Sequence, residues 1–152
     1  MFCEGTHFIS KIAMDEENEI IEKAFAILTS RLREATISVS SSTLVENYLL
    51  HKLILEEREI FGALWLDVKN RLIATENIAL GTLNQVQIFP REVLKYNAAN
   101  VIFFHNHPTG DSLPSETDVL VTSNLRRVLG LIDVRLVDHI IVAGARARSV
   151  GG

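Results

Sequence analysis

The sequence contains a single cysteine, no long apolar run and no targeting segment at its start. Cys3 alone cannot form an internal disulfide or the cysteine cluster of a structural zinc knot. The longest apolar runs are far shorter than the roughly 20 residues that a membrane span requires. Residues 1–11 lack the basic start and small-residue cleavage site of a signal peptide. The sequence therefore predicts a cytoplasmic protein that does not associate with a membrane.

An excess of basic residues is also absent, since the formal net charge is -4 at pH 7. Affinity for a phosphate backbone needs clustered lysine and arginine, so this balance argues against a broad nucleic-acid-binding surface. Arginines do collect in the C-terminal quarter of the chain. A solvated face explains them most simply, and a contact with an acidic partner is the other interpretation. Nucleic-acid binding is left open.

Length and composition fit one domain with a substantial core, because 47% of the 152 residues are hydrophobic. Apolar residues at helical spacing within residues 15–34 predict an amphipathic helix. We interpret residues 1–37 as an N-terminal helical arm and residues 38–152 as the main domain. The apolar face of the N-terminal helices could pair with a second copy of the chain, so a homodimer is also an expectation.

The remaining pattern predicts a mixed sheet covered by helices, which is an α/β fold of the α+β mixed-sheet type. A second helix is predicted up to about residue 55, and further helices at 90–97 and 115–130. Strands are predicted at 60–68 and 72–80, joined by a turn at 69–71, and at 100–104, 134–136 and 138–143, with a short segment at 85–89 after the second strand. Dense apolar runs at 101–104 and 139–142 are typical of central strands that are covered on both faces.

The segment 105–118, HNHPTGDSLPSETD, carries the chemistry of the chain. His105 and His107 follow the apolar strand with one residue between them, so in extended chain both imidazoles project to the same side. Proline and glycine then turn the chain back, and Ser115 is a predicted helix N-cap with Asp118 in the first helical turn. Two imidazoles and one carboxylate leave the fourth position of a tetrahedral zinc ion free for water. The segment therefore predicts a catalytic zinc site.

Each part of this segment also has an ordinary explanation when it is taken alone. A His-x-His pair arises by chance in such a composition, and Ser115 with Asp118 is close to a helix capping box. The conjunction of the apolar strand, the proline-glycine loop and the helix start is what favours a metal site.

The spacing His105-x-His107, seven residues, Ser115, two residues, Asp118 resembles the metal motif of JAMM (MPN-domain) metalloproteases. The amino-acid sequence around it, HNHPTGDSLPSETD, together with PREVLKYNAANVIFFHNHP and LVDHIIV, resembles the bacterial RadC family, also called DNA repair protein RadC-like. Longer members of that family carry an N-terminal helix-hairpin-helix region. This sequence has no such pattern, so it resembles the short members, which have the MPN domain alone. The resemblance implies a cytidine-deaminase-like MPN fold, a Zn²⁺ cofactor and a protein or peptide substrate cleaved at a peptide, isopeptide or related amide bond.

Hydrolysis at zinc also needs a carboxylate that takes a proton from water. Five glutamates are candidates: Glu56, Glu57, Glu59, Glu76 and Glu92. We predict Glu59, because it directly precedes the first long strand, where the resemblance places the catalytic glutamate of JAMM proteins. In the same hypothesis, Ser115 donates a hydrogen bond to the oxyanion that develops.

Three neighbouring polar residues have weaker assignments. His139 is interpreted either as a core histidine with its hydrogen bonds satisfied or as a residue that orients a metal ligand. Asn106 and Asp111 are expected to shape the metal loop without binding metal.

Two other functions are alternatives to zinc-dependent hydrolysis. Zinc-dependent nucleobase deamination needs a His-x-Glu and a Pro-Cys-x-x-Cys sequence, and these are absent. The second alternative is a non-catalytic MPN scaffold or a DNA-associated binding module, because many MPN domains have lost their metal. The family name implies DNA repair, but the residues do not support that role independently.

Overall fold

The computed structural model describes residues 3–34, 42–54, 56–80 and 90–151. In these ranges the chain forms a mixed α/β domain with a five-stranded sheet, which confirms the predicted fold class and is consistent with an MPN-type fold. The elements are α1 (Cys3–Glu34), α2 (Ser42–Leu53), β1 (Ile60–Leu66), β2 (Leu72–Leu80), α3 (Pro90–Lys95), β3 (Asn100–Asn106), α4 (Glu116–Gly130), β4 (Arg135–Ala143) and β5 (Arg146–Ser149).

The sheet has the strand order β2-β1-β3-β4-β5, so the most apolar strands lie at its centre. Strand β1 is antiparallel to both β2 and β3, β3 is parallel to β4, and β4 is antiparallel to β5. All seven residues of β1 are buried, as are six of the seven in β3. The prediction that the runs at 101–104 and 139–142 form covered central strands is confirmed.

Alternate residues of the central strands supply two separate hydrophobic layers, because successive side chains of a strand point to opposite faces. On one face, Leu64 and Phe104 pack with α1 and α2. On the other face, Trp65 and Phe103 pack with α3 and α4. Full burial of each such side chain contributes roughly 1.5–3 kcal/mol, so the helices are held on the sheet mainly by these two layers.

The turn between β1 and β2 shows how a hairpin forms without glycine. The Asp67 carboxylate accepts hydrogen bonds from the backbone N–H groups of Lys69 at 2.8 Å and Arg71 at 2.9 Å. Asn70 takes the left-handed conformation, with φ of 59°, which asparagine adopts more readily than most residues. The predicted first strand is too long at its end, because Val68 belongs to this turn and is 81% exposed.

Other predicted elements also differ from the structure. Strand β3 continues to Asn106, so His105 lies within the strand rather than beyond its end, since it is paired with Phe61 on one side and Ile141 on the other. The two predicted C-terminal segments form the single strand β4, and the polar strand β5 was not predicted. Helix α1 begins at Cys3, earlier than the apolar spacing indicated.

Two predictions fall wholly or partly on residues outside the described ranges. The predicted short segment at 85–89 lies outside them. The boundary between the arm and the main domain at residues 37 and 38 does so too, and it stays a prediction. On the described side, Leu32 of α1 packs in the same hydrophobic layer as α2. Among the described residues, none of the helices has the length and apolar character that crossing a membrane requires.

Candidate metal centre

The two histidines of the motif meet at the end of β3. His105 lies within the strand and is fully buried. His107 continues the same register, since its backbone N–H donates to the carbonyl of Val142 at 2.8 Å. Both imidazoles consequently project to one side, and their Nε2 atoms are 2.8 Å apart. The predicted convergence of the two rings is therefore present.

The loop after His107 folds back on that ring and fixes its orientation. Gly110 has φ of 86°, a conformation that favours glycine, and its N–H donates to the His107 carbonyl at 3.0 Å. His107 Nδ1 lies 2.7 Å from the backbone carbonyl of Asp111. Because a carbonyl can only accept, His107 donates from Nδ1, and in a neutral ring the lone pair is then on Nε2.

Asp118 is held by the capping box at the start of α4. Ser115 is the N-cap, as predicted, and its hydroxyl oxygen accepts from the Asp118 N–H at 3.0 Å. In return, the Asp118 carboxylate accepts from the Ser115 N–H at 2.7 Å. A carboxylate in the first turn is also stabilised by the positive end of the helix. The capping box thus fixes the position of a buried carboxylate, which is only 2% exposed.

The Asp118 carboxylate faces both histidines. Its Oδ1 lies 3.2 Å from His105 Nε2, and its Oδ2 lies 3.5 Å from His107 Nε2. A tetrahedral ion such as zinc, with bonds of about 2.0–2.1 Å, separates its ligand atoms by about 3.3 Å. The separations to the two Asp118 oxygens lie close to that value, whereas the 2.8 Å between the histidine nitrogens is shorter, so the three side chains face one position without reproducing the ligand spacing of an ion.

Glu59 brings a second carboxylate to the same place. It lies immediately before β1 and is half-buried. Its carboxylate oxygen and one nitrogen each of His105 and His107 all lie within 4.8 Å of one another. Burial raises the pKa of the Glu59 carboxyl, the charge of His107 opposes this rise, and the charge of Asp118 adds to it. A carboxyl with a raised pKa is suited to accept and release a proton.

The other candidate glutamates do not reach this cluster in the described part of the chain. Glu56 and Glu57 are exposed. Glu76 accepts a hydrogen bond from the Trp65 indole at 3.1 Å, on the β2 side of the sheet. The side chain of Glu92 lies outside the described residues.

Asn106 connects the histidine strand to the segment that carries Glu59. Its Oδ1 accepts from the backbone N–H of Ile60 at 2.6 Å. Its Nδ2 donates to the backbone carbonyl of Arg58 at 2.8 Å. Asn106 and the Asp111 carbonyl therefore shape the site, as expected, but the connection to Arg58 and Ile60 was not predicted. It depends on the pairing of β1 with β3, which the sequence does not specify.

Behind the histidines runs a buried chain of hydrogen bonds. His105 Nδ1 lies 2.7 Å from His139 Nε2, and His139 Nδ1 lies 2.6 Å from the Thr122 hydroxyl. The Thr122 hydroxyl donates to the Asp118 backbone carbonyl at 2.6 Å. Burial lowers the pKa of both His105 and His139 to about 3, so both rings are neutral near pH 7. Sequence analysis did not predict Thr122, and its only signal is its position four residues after Asp118.

The structure thus brings Glu59, His105, His107 and Asp118 together and places Ser115 at the adjoining helix start. Their roles as ligands and catalytic groups stay predictions, whereas a possible metal-binding group is present. That group consists of Glu59, His105 and His107, and Asp118 brings a second carboxylate to the two histidines.

Comparison with known proteins gives a consistent result. The family model for the RadC-like JAB domain matches residues 39–151. UPF0758 protein YkfG of Escherichia coli strain K12 is 39% identical to this chain over 138 residues, which cover 88% of this chain and 87% of that protein. A UPF0758 protein of Vibrio cholerae is 43% identical over 130 residues, which cover 83% of this chain and 82% of that protein. A UPF0758 protein of Stenotrophomonas maltophilia strain R551-3 is 42% identical, with 83% of this chain and 56% of that protein covered.

Proposed function

The chain belongs to the family of RadC-like JAB domains, as its sequence motif predicted, and on that premise we propose that it is a zinc-dependent hydrolase of the JAMM type. The bond it cleaves is a peptide, isopeptide or related amide bond. One observation carries the proposal: the Nε2 atoms of His105 and His107 lie 2.8 Å apart and face the two Asp118 oxygens at 3.2 and 3.5 Å, with the Glu59 carboxylate beside them.

The donor set favours zinc over other biological ions. Two imidazole nitrogens and one carboxylate oxygen are typical ligands of catalytic zinc, whereas magnesium and calcium prefer oxygen ligands alone. Three protein ligands leave a position for water. When bound there, zinc lowers the pKa of its water to near 7 and polarises a carbonyl oxygen. We assign Asp118 as the third ligand because its oxygens lie 3.2 and 3.5 Å from the two histidine nitrogens.

Glu59 is proposed to carry the proton in this reaction. Its carboxylate takes a proton from the attacking water, whose oxygen forms a bond to the amide carbonyl carbon. The carbon–nitrogen bond then breaks, and Glu59 gives its proton to the departing amine. The position of the Glu59 carboxylate supports this role, since its oxygen lies within 4.8 Å of a nitrogen of His105 and of His107.

Ser115 is proposed to stabilise the oxyanion. Its hydroxyl oxygen already accepts from the Asp118 N–H, so the hydroxyl hydrogen is free of that bond and can be donated to substrate. A donor of this kind acts on charge that develops during the reaction, which makes its contribution larger in the transition state than in the ground state.

The substrate, the cellular location and the partners are parts of the same proposal. We propose a protein or peptide substrate and a cytoplasmic location. A homodimer through the N-terminal helices and any contact with nucleic acid stay predictions from the sequence. The alternative function, a non-catalytic scaffold or a DNA-associated module, is distinguished by the experiment below.

The experiment is elemental analysis of purified protein, followed by hydrolysis assays on quenched peptides and isopeptide-linked substrates. We expect about one zinc per chain, loss of zinc in His105→Ala/His107→Ala, and retention in His51→Ala. His51 is a suitable control because it is an exposed histidine on α2 that bonds to the Asn47 carbonyl. A native chain that takes up no zinc after reconstitution contradicts the metal site. Bound zinc without hydrolysis of any substrate supports the scaffold instead.

A further inference from the structure

The hydrogen bonds behind the metal centre have a direction that can be derived from their acceptors. The Thr122 hydroxyl oxygen lies 2.6 Å from the Asp118 backbone carbonyl. Two oxygens this close require a proton between them, and the carbonyl has none to give. The single hydroxyl hydrogen of Thr122 is therefore used in this bond. Toward His139, Thr122 can only accept.

The same reasoning applies to the next two bonds, from Thr122 to His139 and from His139 to His105. His139 must donate from Nδ1 to Thr122 across 2.6 Å, which leaves a lone pair on Nε2 of the neutral ring. That lone pair accepts from His105 Nδ1 across 2.7 Å. His105 then carries its ring hydrogen on Nδ1, and its Nε2 faces Asp118 and His107 with a lone pair.

We propose that Thr122 and His139 are positioning residues that fix His105 in the tautomer able to bind metal. The tautomer assignment depends on the hydrogen bonds and on neutral rings at the fully buried His105 and His139, whereas its purpose rests on the proposed function. A neutral His107 ring has the same tautomer independently, because its Nδ1 donates to the carbonyl of Asp111 at 2.7 Å. Both Nε2 lone pairs then face one point from a separation of 2.8 Å, where a cation relieves their mutual repulsion.

The hydrogen bonds that run from the Asp118 carbonyl through Thr122 and His139 to His105 form a relay. This relay also joins two of the proposed ligands. It begins at the backbone carbonyl of Asp118 and ends at the ring of His105, whose Nε2 is 3.2 Å from the Asp118 carboxylate. Three secondary structure elements contribute to it: α4 through Thr122, β4 through His139 and β3 through His105. Since all of these side chains are buried, water does not replace a missing partner at low cost. The relay therefore sets the position of α4 relative to β3.

The opposite direction of the relay makes a different prediction. In that arrangement Thr122 donates to His139, His139 donates to His105, and the ring hydrogen of His105 lies on Nε2 and points at the carboxylate of Asp118. Metal binding then requires displacement of that hydrogen. The short distance between the Thr122 hydroxyl and the Asp118 carbonyl argues against this arrangement, because no proton would lie between the two oxygens.

The first test compares Thr122→Val with Thr122→Ser by zinc affinity, measured in competition with a chromogenic chelator. Valine matches the shape of threonine but removes the hydroxyl, whereas serine keeps it. We expect Thr122→Val to weaken zinc binding by about 10- to 100-fold, the usual effect of losing a partner behind a metal ligand, and Thr122→Ser to stay within about threefold of the native chain. Near-native affinity in Thr122→Val, or equal losses in both variants, overturns the proposal.

Thr29→Val is the matched control for the loss of a helical hydroxyl bond. The Thr29 hydroxyl donates to the Phe25 carbonyl four residues earlier at 2.9 Å, which is the same local bond that Thr122 makes to Asp118. Thr29 lies on α1 and contacts no histidine of the site. Its valine variant should bind zinc as the native chain does, and a loss equal to that of Thr122→Val overturns a specific role for the relay.

The second test measures ring ¹⁵N chemical shifts of the metal-free native chain by NMR, which distinguish the two neutral histidine tautomers. We expect His105 with its hydrogen on Nδ1, and a mixture of tautomers in Thr122→Val. A native chain with the hydrogen on His105 Nε2 overturns the relay even if zinc binds normally. If zinc does not bind at all, the proposed function fails while this measurement still decides the tautomer.

Discussion

The Asn106 side chain accepts a hydrogen bond from the backbone N–H of Ile60 at 2.6 Å, across the end of the central strand pair. The same side chain donates to the carbonyl of Arg58 at 2.8 Å. These bonds hold the backbone on both sides of Glu59. Since Asn106 also stands between His105 and His107, one side chain links the proposed proton carrier to the metal-binding strand.

Asn106→Ala should therefore reduce turnover beyond its effect on stability. Truncation leaves two backbone groups without their partner, at a cost of about 1–3 kcal/mol for each that stays buried. We expect a lower unfolding midpoint in urea and a fall in kcat, with zinc content unchanged.

Asn100→Ala is the control for this prediction. Asn100 lies at the other end of β3, and its Nδ2 donates to the Asp67 carbonyl at 3.1 Å and to Asn70 Oδ1 at 2.6 Å. Its loss should lower stability but leave kcat close to native. Equal kcat values for the two variants contradict a positioning role for Asn106.

Glu59→Gln should abolish most turnover while zinc stays bound. The amide keeps the size of the side chain but cannot take up a proton from water, and loss of a general base typically costs about 10²–10⁴-fold in rate. Glu57→Gln, at an exposed position in the same segment, should have native activity. Zinc content and kcat are the two measurements. Turnover of Glu59→Gln at the native rate assigns the proton transfer to another group.

Local patterns in the sequence predicted those parts of the site that lie close together in the chain. His105, His107, Ser115 and Asp118 occur within fourteen residues, where the alternation of a strand and the rules of helix capping already fix which side chains meet. The capping box itself is confirmed. Its alternative, purely structural interpretation is also correct in part, because the same Asp118 carboxylate both caps the helix and faces the histidines.

Contacts between distant segments could not be predicted in the same way. Asn106 meets Ile60 across 46 residues, and His105 meets His139 across 34. Both contacts follow from strand register, which is set by packing over the whole sheet rather than by local sequence. Glu59 was assigned through resemblance to a family, and no property of its neighbours alone distinguished it from Glu56 or Glu57. The missed strand β5 is short and polar because it lies at the sheet edge.

Gly62→Ala should strongly destabilise the fold. A Cβ atom at this position of β1 would lie 2.2 Å from Phe104 Cζ and 2.7 Å from the backbone carbonyl oxygen of Glu76. Both neighbours are packed in the sheet, and overpacking of this kind costs about 1–3 kcal/mol or more. The measurement is the free energy of unfolding in urea.

Gly130→Ala provides the matched comparison. Apart from its chain neighbours and the adjacent backbone of the helix, no atom of the described residues lies within 4 Å of a Cβ built at this position at the end of α4. Alanine should be neutral or stabilise the protein by about 0.4–1 kcal/mol, because it restricts the unfolded chain. If the two alanine variants have equal stability, close packing around Gly62 is not the reason for a glycine there.

Ser115→Ala should slow turnover, spare the metal and weaken α4. Loss of the N-cap hydroxyl costs about 1 kcal/mol of stability, and loss of an oxyanion donor typically costs about 10²–10³-fold in kcat. Asp118 keeps its hydrogen bond from the Ser115 backbone N–H, so zinc should be retained. Ser115→Thr preserves both functions of the hydroxyl and should be close to native. A stability loss without a change in kcat leaves Ser115 as a helix cap alone.

Stability of the metal-free protein should fall as the pH decreases below about 6.5. Burial lowers the pKa of His105 and His139 to about 3. In the folded state both imidazoles therefore stay unprotonated at pH values where the same imidazoles of the unfolded chain, with an ordinary pKa of about 6.5, take up protons. Between these two pKa values each imidazole reduces the free energy of unfolding by up to about 1.4 kcal/mol per pH unit. Urea unfolding of chelator-treated protein at about pH 7.5, 6.5 and 5.5 measures this slope. The double variant His105→Gln/His139→Gln removes both groups and should have a shallower slope, whereas identical slopes mean that other groups control acid unfolding.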